Sequence, residues 1–117
     1  MAAVATEWER AVLSLLDDEY ARRILVAISG EAKSAGELAD ICDASEPTIY
    51  RRLDRLGEHD LVEAQQALDP DGHHYKTYLA SVERVSVEID GDGVVIEIVE
   101  RERDPADRFT ELYEGLR

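Results

Sequence analysis

Residues 34–62, SAGELADICDASEPTIYRRLDRLGEHDLV, read as a short helix, a turn, a longer arginine-bearing helix and the start of a strand. Ser34-Ala35-Gly36-Glu37 has the S-x-x-E form of a capping box, in which a serine oxygen and a glutamate carboxylate satisfy backbone amides left free at a helix start. Leu38, Ile41 and Cys42 follow at i, i+3, i+4 spacing and predict one apolar stripe. Asp43-Ala44-Ser45 then breaks the pattern with residues that favour turns and caps.

The second helix starts at Ser45 or Glu46, either of which can cap it, with Pro47 in the first turn where a missing N–H costs little. Ile49, Leu53 and Leu56 recur at i, i+4, i+7 and turn one face inward. Thr48, Arg51, Arg52 and Arg55 fall on or beside the opposite face. Arginines so placed can hold phosphates and present a guanidinium fork to a guanine edge in a major groove. Arg51 is the first candidate, with Ser45, Pro47, Thr48, Tyr50, Arg52 and Arg55 beside it. The plainer reading is a solvated helix face whose arginines form weak ion pairs with Asp54 and Glu58.

Beyond this helix the chain has the chemistry of a hairpin. Residues 61–68 form one expected strand, Asp69-Pro70-Asp71-Gly72 a turn with proline preset for its second position, and residues 73–80 the returning strand. Its tip places His73, His74 and Lys76 as candidate contacts to a DNA backbone or minor groove. The run from about Leu16 to Leu79 resembles the winged-helix core of ArsR-type transcriptional regulators. The likeness rests on Glu37-Leu38-Ala39, on Ser45-Glu46-Pro47-Thr48-Ile49-Tyr50-Arg51-Arg52-Leu53, and on Leu61-Val62. It implies an α+β winged helix-turn-helix in which Ser45, Pro47, Thr48, Tyr50 and Arg51 face DNA while Ile49 and Leu53 face the core.

Metal-sensing members of that family carry a Cys-x-Cys pair or terminal His and acid clusters, and this chain departs from them. Its one cysteine, Cys42, reads as a small core residue, with redox sensing as the sharper alternative. His73 and His74 are adjacent in a strand and point to opposite faces, so no metal site is expected. The remaining histidine is His59, and no glycine-rich phosphate loop precedes a helix. Neither an enzyme nor a cofactor is expected.

With 117 residues, one winged-helix domain over the whole chain is expected. Its parts are N-terminal helices in 1–30, the helix-turn-helix in 34–59, the wing in 61–80, a second hairpin in 82–100 and a C-terminal helix in 104–117. No apolar run approaches a membrane span, and the acidic start lacks the form of a signal peptide, so a cytoplasmic protein is expected. Twenty-seven acidic against thirteen basic residues give a formal net charge of -14. That balance opposes DNA binding in ordinary cytosol. Only two of the basic residues are lysine. Acidic surfaces of this kind resemble the proteins of salt-accumulating halophilic archaea, where screening lengths fall to roughly 3 Å at 1 M and repulsion becomes local.

Both ends carry apolar stripes at helical spacing: Trp8, Val12, Leu15 and Leu16 in the first helix, and Phe109, Leu112, Tyr113 and Leu116 in the last. Between these, a helix bearing Ala21, Ile24, Leu25 and Ile28 is expected to stop at Gly30. ArsR-like proteins pair through terminal helices, which makes Trp8, Val12, Leu15, Phe109, Leu112, Tyr113 and Leu116 the expected dimer contacts. In the second hairpin Val85, Val87 and Ile89 alternate with Arg84, Ser86, Glu88 and Asp90, predicting one buried and one wet face. Such a hairpin should pack on the last helix, join the wing's sheet or pair across a dimer. The expected function is repression of transcription by a homodimer on a pseudo-palindromic double-stranded operator. The competing class is a winged-helix protein–protein adaptor with no direct DNA readout.

Overall fold

The computed structural model describes residues 6–102. Four helices come first: α1 Glu7–Asp17, α2 Glu19–Ala27, α3 Ala35–Cys42 and α4 Glu46–Glu58. Two antiparallel hairpins follow, β1 Val62–Leu68 with β2 His74–Ala80, and β3 Val82–Asp90 with β4 Gly93–Glu100. The fold is α+β and has the arrangement of a winged helix-turn-helix. Phe109, Leu112, Tyr113 and Leu116 lie outside the described residues, as does the C-terminal helix expected over 104–117.

Each helix starts where a side chain can take its free amides. In α1 the Thr6 hydroxyl accepts from the Glu9 amide at 3.1 Å while the Glu9 carboxylate accepts from the Thr6 amide at 2.8 Å. This is a second capping box. Asp18 closes α1 and opens α2, its carboxylate accepting from the Ala21 amide at 2.9 Å. Ser34 and Glu37 cap α3 reciprocally at 3.1 and 3.2 Å. At α4 the cap is Ser45, which accepts from the Thr48 amide at 3.3 Å, with Pro47 in the first turn.

The core joins Leu15, Ile24, Ile28, Leu38, Ile49, Leu56 and Leu61, all fully buried. Two expected faces need correction. On α3 the buried set is Ala35, Leu38, Ala39 and Cys42, whereas Ile41 is 51% exposed. At 100° per residue Ile41 lies outside the arc those four define. On α1, Val12 and Leu15 are completely buried in the chain's own interior, which leaves them no surface for a partner. Trp8 keeps 42% of its surface exposed. Helix α2 ends at Ala27, ahead of the expected stop, and Leu25 is only partly buried.

The wing closes as its turn residues dictate. Asp69 Oδ1 accepts from the amides of Asp71 at 2.9 Å and His73 at 2.8 Å, and Gly72 takes a φ of 86° that a side chain would strain. Lys33 adds a bridge to β2, its amide donating to the Tyr78 carbonyl at 3.0 Å and its carbonyl accepting from the Tyr78 amide at 2.8 Å. The segment that leads into α3 is thereby stitched to the returning strand of the wing.

The second hairpin is a separate two-stranded sheet and does not join the wing. Only Ser81 separates β2 from β3; its amide donates to the Leu61 carbonyl at 2.9 Å and its carbonyl accepts from the Arg101 amide at 2.8 Å. Arg101 also reaches Glu63 at 2.9 Å and the Ala80 carbonyl at 3.1 Å, pinning the base of β4 to the base of the wing. The apolar face expected to be buried is covered near Ile96, which is 7% exposed. Toward the tip it opens, with Val87 44% and Ile89 77% exposed.

Candidate nucleic-acid interface

Helix α4 projects a polar edge built at its N-terminal end. Ser45 and Thr48 hydroxyls lie 2.9 Å apart, and Arg51 Nη2 donates to Thr48 Oγ1 at 3.3 Å. These residues recur every three positions, so the cap and the guanidinium form one hydrogen-bonded line along the rim of the helix. Ser45, Pro47, Tyr50, Arg51 and Arg55 are exposed. The amides at this end carry partial positive charge, which favours a phosphate nearby.

The neighbouring acid is turned away from that line. A methyl group at Gly36 would meet Glu46 Oε1 at 3.3 Å, so the Glu46 carboxylate rests over the start of α3, where free amides favour it.

The three arginines do not share one fate. Arg52 Nε donates to Asp18 Oδ2 at 2.8 Å, with both side chains about one-fifth exposed. Its guanidinium also lies 5.8 Å from the Tyr20 ring centroid. Arg52 is thus a clamp between α4 and the start of α2, a correction to its expected place among the DNA contacts. The partner is long-range in sequence, whereas Asp54 and Glu58 hold none of the three arginines in an ion pair. Among the described residues, Arg51 and Arg55 have no carboxylate within ion-pair distance. Burial pushes the Asp18 carboxyl up, but the Ala21 amide and Arg52 outweigh it, leaving its pKa below the usual value.

The wing presents one face beside α4. Register pairs Ala64 with Tyr78, Gln66 with Lys76 and Leu68 with His74, and residues two apart in a strand share a face. Burial raises the Tyr78 phenol pKa, and Tyr50 and Asp54 of α4 raise it further, so the Tyr78 end of this face lies near the arginine-bearing helix. Lys76 and His74 lie on the same face of the wing as Tyr78. Gln66 belongs with them, directly opposite Lys76 and exposed. Sequence reading passed over it, although strand pairing counted from the Asp69–Gly72 turn would have found it. His73 is held in the turn instead, its ring Nδ1 3.6 Å from Asp69 Oδ2.

Asp69, Asp71 and His73 bring potential ligand atoms within 4.8 Å of one another. One Asp69 oxygen is spent on the turn's own amides, and the group is a closure of the loop. Cys42 is 1% exposed, and burial pushes its thiol pKa up, with Arg23 opposing. That environment disfavours the thiolate a redox sensor needs.

Comparison with known proteins agrees with this geometry. No curated protein matches the chain. Residues 16–65 match a family model described as a helix-turn-helix domain. The match runs from the end of α1 into β1 and contains the complete α3–turn–α4 unit. No helix among the described residues is long and apolar enough to cross a membrane. Residues 16–65 thus resemble a helix-turn-helix domain, a unit with which transcription regulators bind DNA.

Proposed function

We propose that the chain is an ArsR-like regulator that represses transcription as a homodimer, inserting α4 into the major groove of a pseudo-palindromic duplex. Arg51 reads a base edge, and Ser45, Pro47, Thr48, Tyr50 and Arg55 hold the helix in the groove. Lys76, His74 and Gln66 follow the adjoining backbone, with His73 at the wing tip. The observation that carries this reading is the Ser45–Thr48–Arg51 line. It is an exposed, positively tipped edge on which no described carboxylate pairs with Arg51, in a chain whose net charge is -14.

Such a surface binds DNA best where charge repulsion is short-ranged. We place the protein in the concentrated-salt cytoplasm of a halophile, where base contacts, shape fit and dehydration carry affinity that counterion release no longer supplies. Selection from random duplexes in molar potassium chloride tests the proposal. The expected product is a pair of inverted half-sites with centres about 10–10.5 base pairs, or roughly 34–36 Å, apart. Absence of any enriched sequence across salt concentrations would instead favour a protein–protein adaptor. Engagement of Arg52 with Asp18 gives that second reading its one structural point, since it removes a cation from the edge.

A further inference from the structure

Strand β3 has an edge that no other described element uses. The Ile96 amide donates to Glu9 Oε2 at 3.0 Å, so in the Val87–Ile96 pair the backbone groups point away from the hairpin. Such pairs alternate with bonded ones along an antiparallel ladder. The N–H and C=O groups of Val85, Val87 and Ile89 consequently line the outer side of β3. No backbone hydrogen bond from another described element reaches them. On the opposite side of the hairpin, Glu9 of α1 protects β4.

The side chains of these same residues, with Val94, Ile96 and Ile98 across from them, form a face composed entirely of β-branched groups. Its outer part is open to solvent at Val87 and Ile89. A two-stranded sheet is marginal in water, and an exposed apolar edge is a template for another strand unless lysine, proline or a bulge blunts it. The irregularity in β3 lies between Val82 and Arg84, and the rest of the strand has neither lysine nor proline.

We infer that the occupant of this edge is a second copy of the chain, with β3 pairing antiparallel to β3 about a two-fold axis at Val87. The four-stranded order is β4-β3-β3-β4. This register is complementary to itself. Val87 faces Val87 of the partner subunit, Val85 faces Ile89 of the partner subunit, and all three outward-pointing residues exchange backbone bonds. Arg84, the basic residue of β3, meets Asp90 of the partner subunit, and Ser86 meets Glu88 of the partner subunit. Moving the axis to Glu88 would oppose two carboxylates directly, which is unfavourable. Moving it to Ser86 would leave Ile89 against the irregular start of the strand.

The inference deepens the dimeric reading above, and rests on it, by assigning the dimer to β3. Sedimentation equilibrium of the full chain at high salt provides the test, with wild type, Val87→Pro and Val87→Thr compared. Proline removes an N–H that the hairpin itself does not use, a tolerated change on an edge strand, whereas threonine keeps it. Wild type and Val87→Thr should be dimers, and Val87→Pro should dimerise roughly tenfold or more weakly with its circular dichroism retained.

Charge exchange checks the register independently of Val87. Arg84→Asp and Asp90→Arg should each weaken the dimer, and the double variant should restore it. Within one strand these positions are about 20 Å apart, so restoration would have to act between copies. A wild-type dimer indifferent to Val87→Pro and to both charge reversals would overturn the β3 assignment while leaving the dimeric reading intact. A monomeric wild type would overturn both, and a chain ending at residue 102 that dimerises where the full chain does not would assign the edge to the chain's own C-terminal residues.

Discussion

Arg51 and Arg52 are neighbours with the same chemistry and opposite employment. A turn of 100° carries Arg52 toward α2, where Asp18 and the Tyr20 ring take its charge, and leaves Arg51 on the outer rim. Replacing Arg52 by alanine strands a partly buried carboxylate, and should cost on the order of 1–2 kcal/mol in urea unfolding. Glu9 is a second long-range tie. Its pKa is held below the usual glutamate value chiefly by the Thr6 amide, against burial and with help from the Ile96 amide. A group with a depressed folded pKa contributes stability above its unfolded pKa and loses it as pH falls through the folded one. Glu9→Gln should lower the melting temperature near neutrality and flatten its decline in acid. Equal melting-temperature profiles for wild type and variant would contradict this. Neither tie was visible as a pair in sequence, because Asp18 is 34 positions from Arg52 and Ile96 is 87 from Glu9. The Thr6-x-x-Glu9 cap, however, was there to be read.

At the scale of elements, local chemistry was the legible part. Caps at Ser34 and Ser45, apolar spacing in α4 and the Asp69–Gly72 turn each depend on residues within one or two turns of chain, and each element formed where those residues put it. Which side of an element meets which neighbour depends on distant packing. Periodicity therefore misassigned Ile41, the family resemblance offered the buried Val12 and Leu15 to a partner, and the apolar face of β3 is left open toward its tip. The residue at Gly72 tests the wing's dependence on its turn. Its φ of 86° makes Gly72→Ala strained, at a cost of roughly 1 kcal/mol, read from chemical denaturation. If the wing follows the DNA backbone, the same variant should weaken operator binding more than its global stability loss explains. Undiminished binding would remove the wing tip from the interface.

For the molecule as a whole, the decisive quantity is the contrast between a net charge of -14 and an α4 rim on which no described carboxylate pairs with Arg51 or Arg55. Charge composition alone was legible from sequence and argued against nucleic acid. Only the partner of each arginine decides whether a positive edge survives. In dilute salt the acidic body should oppose a duplex, and in molar salt this repulsion is screened to contact range. Affinity for a selected operator should therefore decline only shallowly with potassium chloride, or rise, and a steep conventional loss would contradict the proposed setting. The most direct measurement of the central claim is fluorescence anisotropy on that operator at molar salt, comparing wild type with Arg51→Ala alongside duplexes altered one base pair at a time. A base-reading Arg51 predicts a loss of on the order of 1–3 kcal/mol and indifference of the variant to one particular base pair. Unchanged affinity, with every position discriminated as in wild type, would contradict the assignment of α4 as the reading helix.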